Sequence, residues 1–445
     1  MAYQSRRNTS LPPAGINHNP STIMHIDLNS CFATIEQQAN PLLRGRPIAV
    51  AAYTTGNGCI VAPSIEAKRL GIKTGMQVRE GKQLCPDLVV LPPDPWKYRF
   101  INRKMLQLFK NYTPDIQVKS IDEMHLDFRG SLALKRGLDR VAQEIKAGIK
   151  KEIGEWLTVS VGIAPNRFLA KLAANLHKPD GLDEINAGNL ERVLSGMELT
   201  DLFGIKARNQ ARLYRFGIYN PIDMLNAHPQ TLLAAFGGIF GYYWHLRLRG
   251  WEIDEVDFSR KSIGHSHALK NQTPEPREVA MLLCKLCEKV GFRMRRLGYG
   301  ARGIHMAILY ADNTHWHKGI LAPMPIVASS DLYKRVMQLY SRAPRGGRIH
   351  SLAISVYELV KQPAQQLTFT EDEVKKRRLS STIDAINERY GDFMIVPALM
   401  MGMNDTILDR VAYGGVKDLE EFVFQEDVAY ESWDDLPGSV GELSL

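Results

Sequence analysis

Between residues 22 and 163 the hydrophobic pattern changes period in one fixed order, and that order restricts the possible folds more than any other feature of the chain. Residues 22–27 alternate and end on a carboxylate, as a strand does when it delivers a polar residue to a sheet edge. An αβ stretch follows to about residue 93, with an apolar strand at 47–51 and a Gly-rich turn at 56–58. Next come a helix-period segment at 98–110, a strand at 116–121, a carboxylate turn of Asp122 and Glu123, and a strand at 124–128. Leu138, Val141, Ile145, Ile149 and Ile153, at spacings of three and four, predict a long helix before a strand at 157–163. The order is β-(insert)-α-β-β-α-β, the split βαβ or ferredoxin-like arrangement.

In such a sheet the first and third strands of the motif are central neighbours, so Asp27, Asp122 and Glu123 converge on one edge. Like charges that close raise one another's pKa, and divalent cations relieve the repulsion. Mg²⁺ favours a few carboxylates plus substrate phosphates, and a pair of ions can stabilise both the attacking and the leaving oxygen of a phosphoryl transfer. The alternative is structural: Asp and Glu mark a hairpin turn, and Asp27 a strand end.

Residues 186–250 read as short-looped helices. Phe203-Gly204-Ile205 and Phe216-Gly217-Ile218 have the layout of a helix–hairpin–helix, which offers backbone N–H groups and helix N-termini to a phosphate; a plain helix–turn–helix corner is the other reading. The acidic, irregular stretch 251–260 suits a linker. A second αβ unit then predicts helices at 278–297 and 330–341 and strands at 303–310 and 350–359. Arg293, Arg295, Arg296, Arg302, Arg342, Arg345 and Arg348 flank those strands, either to track a nucleic-acid backbone or as a solvated charged face. Cys284 and Cys287 form a C-x-x-C with no second pair, which favours core packing over zinc. Cys59, in the Gly-rich loop, is expected to be packed.

Charge divides along the chain. The 445 residues carry 56 Lys+Arg against 48 Asp+Glu, a net of +8. Residues 363–445 hold 7 and 17 of these, a net of −10, which leaves 49 and 31, a net of +18, on residues 1–362. A basic body suits a polyanionic partner. Five cysteines disfavour a secreted disulfide framework, and no stretch approaches a membrane span of about 18 apolar residues. A cytoplasmic protein is expected.

Four segments carry a family resemblance: Ile26-Asp27-Leu-Asn-Ser-Cys-Phe32-Ala, Lys119-Ser120-Ile121-Asp122-Glu123, Val159-Ser-Val-Gly162-Ile163-Ala, and Ala170-Lys171 through Lys178-Pro179-Asp-Gly181. Together they resemble the signature blocks of the Y-family translesion DNA polymerases. Arg260-Lys261-Ser262-Ile263-Gly264 is similar to the entry of that family's little-finger domain. Asn29, Gly58-Cys59, Ser64-Ile65-Glu66-Ala67-Lys68 and Ile386-Asn387-Glu388-Arg389-Tyr390-Gly391 look closer to the UmuC-like branch than to the DinB-like one.

The resemblance implies an α+β multidomain fold. It comprises a ferredoxin-like palm (21–30 and 94–185) with inserted small fingers (31–93), a helix–hairpin–helix thumb (186–250), a linker (251–260) and an αβ little finger (261–361). A flexible leader (1–20) and an acidic C-terminal tail (362–445) flank them, the tail being disordered, a docking segment or a folded flap. The implied activity is template-directed addition of dNTPs to a primer 3′-OH opposite damaged or undamaged template, without proofreading. Asp27, Asp122, Glu123 and the carbonyl of Leu28 would hold two Mg²⁺, with Mn²⁺ as a substitute. Phe32 would be the steric gate against a ribose 2′-OH, or else a core aromatic. Cys31, Ser64, Lys68 and Lys178 would line the nucleotide site, and Lys171 would support it. Gly204, Ile205, Gly217, Lys261 and the seven arginines would meet primer–template DNA. Gln365, Leu367 and Phe369 loosely match a sliding-clamp peptide, and an accessory subunit or recombinase filament is a further implied partner. Ile65 and Lys68 depart from DinB-like patterns, and the lysine offers a point charge where an arginine binds bidentately. A catalytically silent DNA-bound scaffold and a nucleotidyl cyclase on the same sheet order are the competing readings.

Overall fold

A computed structural model describes residues 15–407 apart from 256–259, 270–271, 273–274, 345, 362–370, 392 and 404–405. It forms two units, one within Met1–Val256 and one within Asp257–Arg410.

In the first unit β1 (Ile23–Leu28) leads through the helix Cys31–Ala39 to an inserted three-stranded sheet of β2 (Ile48–Ala51), β3 (Ile60–Pro63) and β4 (Val89–Leu91). The helix Pro95–Phe109 precedes β5 (Ile116–Val118) and β6 (Glu123–Asp127). The predicted long helix is Leu138–Gly148 closed by a π-helical turn, Ile149–Ile153, before β7 (Val159–Ala164). After the helix Arg167–Ala174 comes a short β8 (Leu182–Glu184). The principal sheet runs β5-β6-β1-β7-β8. Its first four members have the ferredoxin-like order, and β1 and β6 are the expected antiparallel neighbours.

Alternation sorts the side chains of that sheet. Met24, Ile26, Leu28, Met124 and Leu126 face a core filled by Tyr98, Ile101, Met105, Val141 and Ile145 from the two helices behind it. The opposite face of β1 and β6 carries His25, Asp27, Glu123, His125 and Asp127. Against this face packs the helix Arg167–Ala174, at a distance that Gly162 on β7 permits. A Cβ built there lies 2.0 Å from the carbonyl oxygen of Ala170 and 2.2 Å from the amide of Ala174.

Short helices follow, among them Ala207–Tyr214 and Phe240–Leu248, around a core that includes Leu202, Leu213 and Trp244. Residues 251–255, expected to be linker, are strapped to this unit: Glu252 accepts from Arg167 and Asp254 from Arg247.

The second unit is a four-stranded sheet ordered β11-β10-β12-β9 and backed by two helices, Pro276–Arg296 and Ser329–Tyr340. Its strands are β9 (Ser262–Ala268), β10 (Tyr299–Tyr310), β11 (His315–Ile326) and β12 (Ile349–Lys361). The predicted strands are the central pair, and the two not predicted are the edges. Cys284 and Cys287 are buried in the core. Part of the acidic C-terminal segment folds onto the same unit. The helix Glu371–Tyr390 is tethered through Asp384 to Arg295, and Met400, Met403 and Ile407 enter the core.

Gly162→Ala is expected to force the Arg167–Ala174 helix off the sheet and to destabilise the first unit by about 1–3 kcal/mol or more, as overpacking does. Chemical denaturation followed by tryptophan fluorescence reads this; an unchanged midpoint would refute the close-packing role.

Candidate active site

Register brings the carboxylates together. Asp27 on β1 lies opposite Glu123 on β6, and Leu28 donates its amide to the carbonyl of Asp122 at 3.0 Å. Ser120 closes the turn: its hydroxyl donates to the Asp122 carboxylate and accepts from the amide of Glu123 at 3.0 Å. The three acids expected to converge do lie together, with Ser120 as a positioner the sequence did not single out.

Burial makes the cluster costly. It raises Asp27 to about 6, assisted by the neighbouring Asp122 and Glu123 and opposed by Lys178. It also raises Asp122, against the hydrogen bond from Ser120. Two lysines answer the charge. Lys178 Nζ is 2.7 Å from Asp27 Oδ2, and Lys171 Nζ is 2.6 and 2.8 Å from the two oxygens of Glu123. Lys171 also sits 4.3 Å from the centroid of Phe203, so the exposed ring of the predicted hairpin reaches this site. The Lys178 loop is held by Asn29, whose side chain accepts from the amide of Asp180 at 2.8 Å and donates to Ser160 at 2.9 Å. Lys146 holds the Asp180 carbonyl at 2.5 Å.

Phe32 is half-buried and stacks on the fully buried Tyr98, with centroids 4.2 Å apart and planes 12° from parallel. Glu36 accepts from the Tyr98 hydroxyl and from Lys97, each at 2.9 Å, which fixes the platform beneath Phe32. Lys68 is exposed, and its ammonium is weakened by partial burial and by the charge of Lys178. Hard oxygen donors, raised carboxyl pKa values and ammonium counter-charges together fit a site for divalent cations.

Below the carboxylates lie two histidines. His25 and His125 are cross-strand partners with Nδ1 atoms 3.4 Å apart. Burial holds both neutral: it lowers His25 well below its ordinary value and brings His125 to about 2, with nearby cations adding to the effect.

Several expected contacts are corrected. Ser64 is fully buried, capping the helix Ile65–Arg69 through the Ala67 amide and accepting from Ile48, so its hydroxyl cannot reach a nucleotide. Cys31 packs in the core, where burial pushes its thiol pKa up. Cys59 is exposed rather than packed. The Ile205 amide donates to Leu202 at 2.9 Å and that of Gly217 to Tyr214 at 3.1 Å, so neither is left for a phosphate. Gly204 adopts φ 97°, in the region of positive φ that favours glycine. Arg295 is bound by Asp384 at 2.6 and 2.8 Å and by Ser329 at 3.0 Å, a structural tether in place of a DNA contact. Lys261, Arg296, Arg302, Arg342 and Arg348 are exposed, and Arg293 is half-buried with a bond to Gly264. Arg345, Gln365, Leu367 and Phe369 lie outside the described residues.

Comparison with known proteins decides the family. Models described as the impB/mucB/samB family and its C-terminal domain match residues 26–175 and 260–369. DNA polymerase IV of Pelotomaculum thermopropionicum is 31% identical over 394 residues, covering 87% of this chain and 97% of its own. That of Moorella thermoacetica is 33% identical over 388 residues, covering 85% and 96%. The chain belongs to the Y-family DNA polymerases. DNA polymerase IV 1 of Bacillus subtilis is a further relative, 31% identical over 383 residues and covering 84% and 91%. Among solved structures, a chimera of the Y-family polymerases Dbh and Dpo4 superposes with a TM-score of 0.67 at 24% identity, covering 76% of this chain and 99% of its own. These relatives point to the DinB branch and correct the UmuC-like placement. Asn29 and Ser64, on which that placement partly leaned, here hold a loop and cap a helix.

The chelator-treated protein is expected to lose stability below about pH 6.5. Both histidines have folded pKa values below 6.5, so the unfolded chain binds protons that the folded one refuses, and their stabilisation drains away as pH falls. Asp27, raised to about 6, works in the opposite sense and offsets part of the loss, as does the raised Asp122. The two histidines are expected to outweigh the carboxylates, so the denaturant midpoint of the first unit falls between pH 7 and 5.5. A midpoint that is flat or rises between pH 7 and 5.5 would contradict neutral burial of the pair.

Proposed function

We propose that Asp27, Asp122 and Glu123, with the backbone carbonyl of Leu28, hold two Mg²⁺ ions at which a primer 3′-OH attacks the α-phosphorus of a dNTP and releases pyrophosphate. The observation that carries this is the cross-strand meeting of Asp27 and Glu123, with Asp122 on the adjoining turn and a lysine on each side. As a Y-family member the chain is a template-directed DNA polymerase of the translesion type, and its relatives favour the polymerase IV kind. Mn²⁺ offers the same hard, oxygen-seeking chemistry. Bound ions lower the pKa of the 3′-OH and neutralise charge on the triphosphate and leaving group.

The chain's own residues supply position and counter-charge. Lys178 and Lys68 are the triphosphate cations. Lys178 pairs with Asp27, and its ammonium would be available to an incoming phosphate where a cation took its place on that carboxylate. Lys171 orients Glu123. Phe32, braced by Tyr98, fills the volume of a ribose 2′-OH. Gly204 in its turn, with Lys261, Arg293, Arg296, Arg302, Arg342 and Arg348, provides sequence-independent contacts to the primer–template backbone. Gln365, Leu367 and Phe369 are proposed as a clamp-docking peptide, an accessory subunit or recombinase filament as a further partner, and the bacterial cytoplasm as the location.

Primer extension tests the assignment. Asp122→Ala should reduce Mg²⁺-dependent extension at least about 10²-fold. Wild type that shows no metal-dependent extension, or a variant that matches it, would sink the reading. Phe32→Ala should raise rNTP incorporation relative to dNTP about tenfold or more, and an unchanged ratio removes the gate assignment. Deletion of 363–370 should abolish stimulation by a sliding clamp while leaving clamp-free synthesis intact; stimulation that survives the deletion refutes the docking peptide.

A further inference from the structure

The imidazole of His25 has no part in the proposed chemistry, yet it lies at the base of the acidic cluster. The residue is 1% exposed, and its Nε2 has no hydrogen-bond partner. A ring nitrogen of His25 and carboxylate oxygens of Asp27 and Glu123 all lie within 4.8 Å of one another. Among the described residues this is the one such group of three His, Cys, Asp or Glu side chains. It differs from the proposed Mg²⁺ set in exchanging the Asp122 oxygen for a nitrogen.

We propose that His25, Asp27 and Glu123 form a transition-metal site of the Zn²⁺ class, whose occupation withdraws Asp27 and Glu123 from polymerisation. The inference rests on the functional reading above for the role of those two acids, but the site itself is built from donor chemistry. A mixed imidazole and carboxylate set favours Zn²⁺, Co²⁺ or Ni²⁺ over Mg²⁺, which prefers oxygen alone. Three protein ligands plus water complete a tetrahedral zinc shell, with donor atoms about 3.3 Å apart for bonds of about 2.0–2.1 Å. Contraction by up to about 1.5 Å reaches that spacing, within the range of carboxylate rotations at Asp27 and Glu123.

His125 completes the argument as a positioning residue. Two neutral rings whose Nδ1 atoms face each other share one proton. With the proton on His25 Nδ1 and donated to His125, His25 Nε2 is left as a bare lone pair, the form a metal requires. With the proton on His125, His25 Nε2 carries a buried N–H without an acceptor, which is costly. The metal removes this penalty by selecting the first arrangement. It competes for Asp27 and Glu123 with Lys178 and Lys171, and its double charge replaces their two ammonium contacts.

Co²⁺, the visible-absorbing substitute for Zn²⁺, tests the site on untagged full-length protein without DNA or nucleotide, so the outcome is independent of activity. His317→Ala serves as background, because the half-buried His305 and the exposed His317, with ring nitrogens 3.3 Å apart, offer an adventitious pair. In that background one Co²⁺ should bind with the strong absorption of tetrahedral coordination. His25→Ala and the more conservative His25→Gln should each weaken binding about tenfold or more and abolish the band. Zn²⁺ inhibition of primer extension should be relieved by excess Mg²⁺ and shift to higher Zn²⁺ in His25→Gln. If the His25 variants do not fold, X-ray absorption of the Zn²⁺-loaded His317→Ala protein should show imidazole scattering. Equal Co²⁺ affinity with and without His25, loss of the band in His317→Ala alone, or a zinc shell lacking imidazole overturns the proposal. Failure of Mg²⁺-dependent extension with normal Co²⁺ binding would instead overturn the catalytic reading.

Discussion

Two carboxylates on facing strands in a nearly dry setting are the constraint around which the first unit is organised. Asp27 and Glu123 share a register position and a face, Asp122 stands beside them, and burial raises the pKa of Asp27 and Asp122. An arrangement of that kind persists only where the repulsion is answered. Lys171 and Lys178 answer it, and each is brought in by a neighbouring device. Gly162 allows the helix that carries Lys171 to approach the sheet, and Asn29 and Lys146 hold the loop that carries Lys178. Under the proposed function the same lysines are the groups that a metal ion would displace or a triphosphate recruit.

The polar face continues beneath the acids through His25 and His125 to Asp127. Asp127 is paired with Arg129 and, at 3.6 Å, with Arg167, which also holds Glu252 at 2.9 Å. A buried row of ionisable groups on one face of a central strand pair is an expensive way to fill space. Pairing of most members makes it tolerable, and among the atoms left without a hydrogen bond is His25 Nε2, where a further ligand gains.

Legibility followed burial and strand position. The central strands β1, β6, β7, β10 and β12 alternate or run apolar because each is fixed by two neighbours and a core, and their positions follow from the pattern. The edges β9 and β11 escaped it. Ser262–Ala268 and His315–Ile326 carry Gly, Pro, His and Lys and are mostly exposed or half-buried, as edge strands commonly are. The C-terminal segment misled for a related reason. Its acidic composition suggested a tail, yet Asp384 is the counter-ion of Arg295, and the methionines beyond it reach the core. Arg295 and Asp384 stand 89 residues apart, and no local pattern couples them.

The sequence by itself determined the sheet order and the convergence of Asp27, Asp122 and Glu123, because periodicity and strand-end carboxylates are local properties that survive without coordinates, and its signature blocks carried the family resemblance. Tertiary structure alone decided which polar atoms remain available. Ser64 is consumed by a helix cap, the amides of Ile205 and Gly217 by their own turns, and Arg295 by a distant aspartate. His25 keeps an unpartnered Nε2, and a nitrogen of the same ring lies within 4.8 Å of oxygens of two acids. Hydrogen-bond capacity is allotted by three-dimensional proximity, so the same residue letters are ligands, caps or tethers according to what the fold sets next to them.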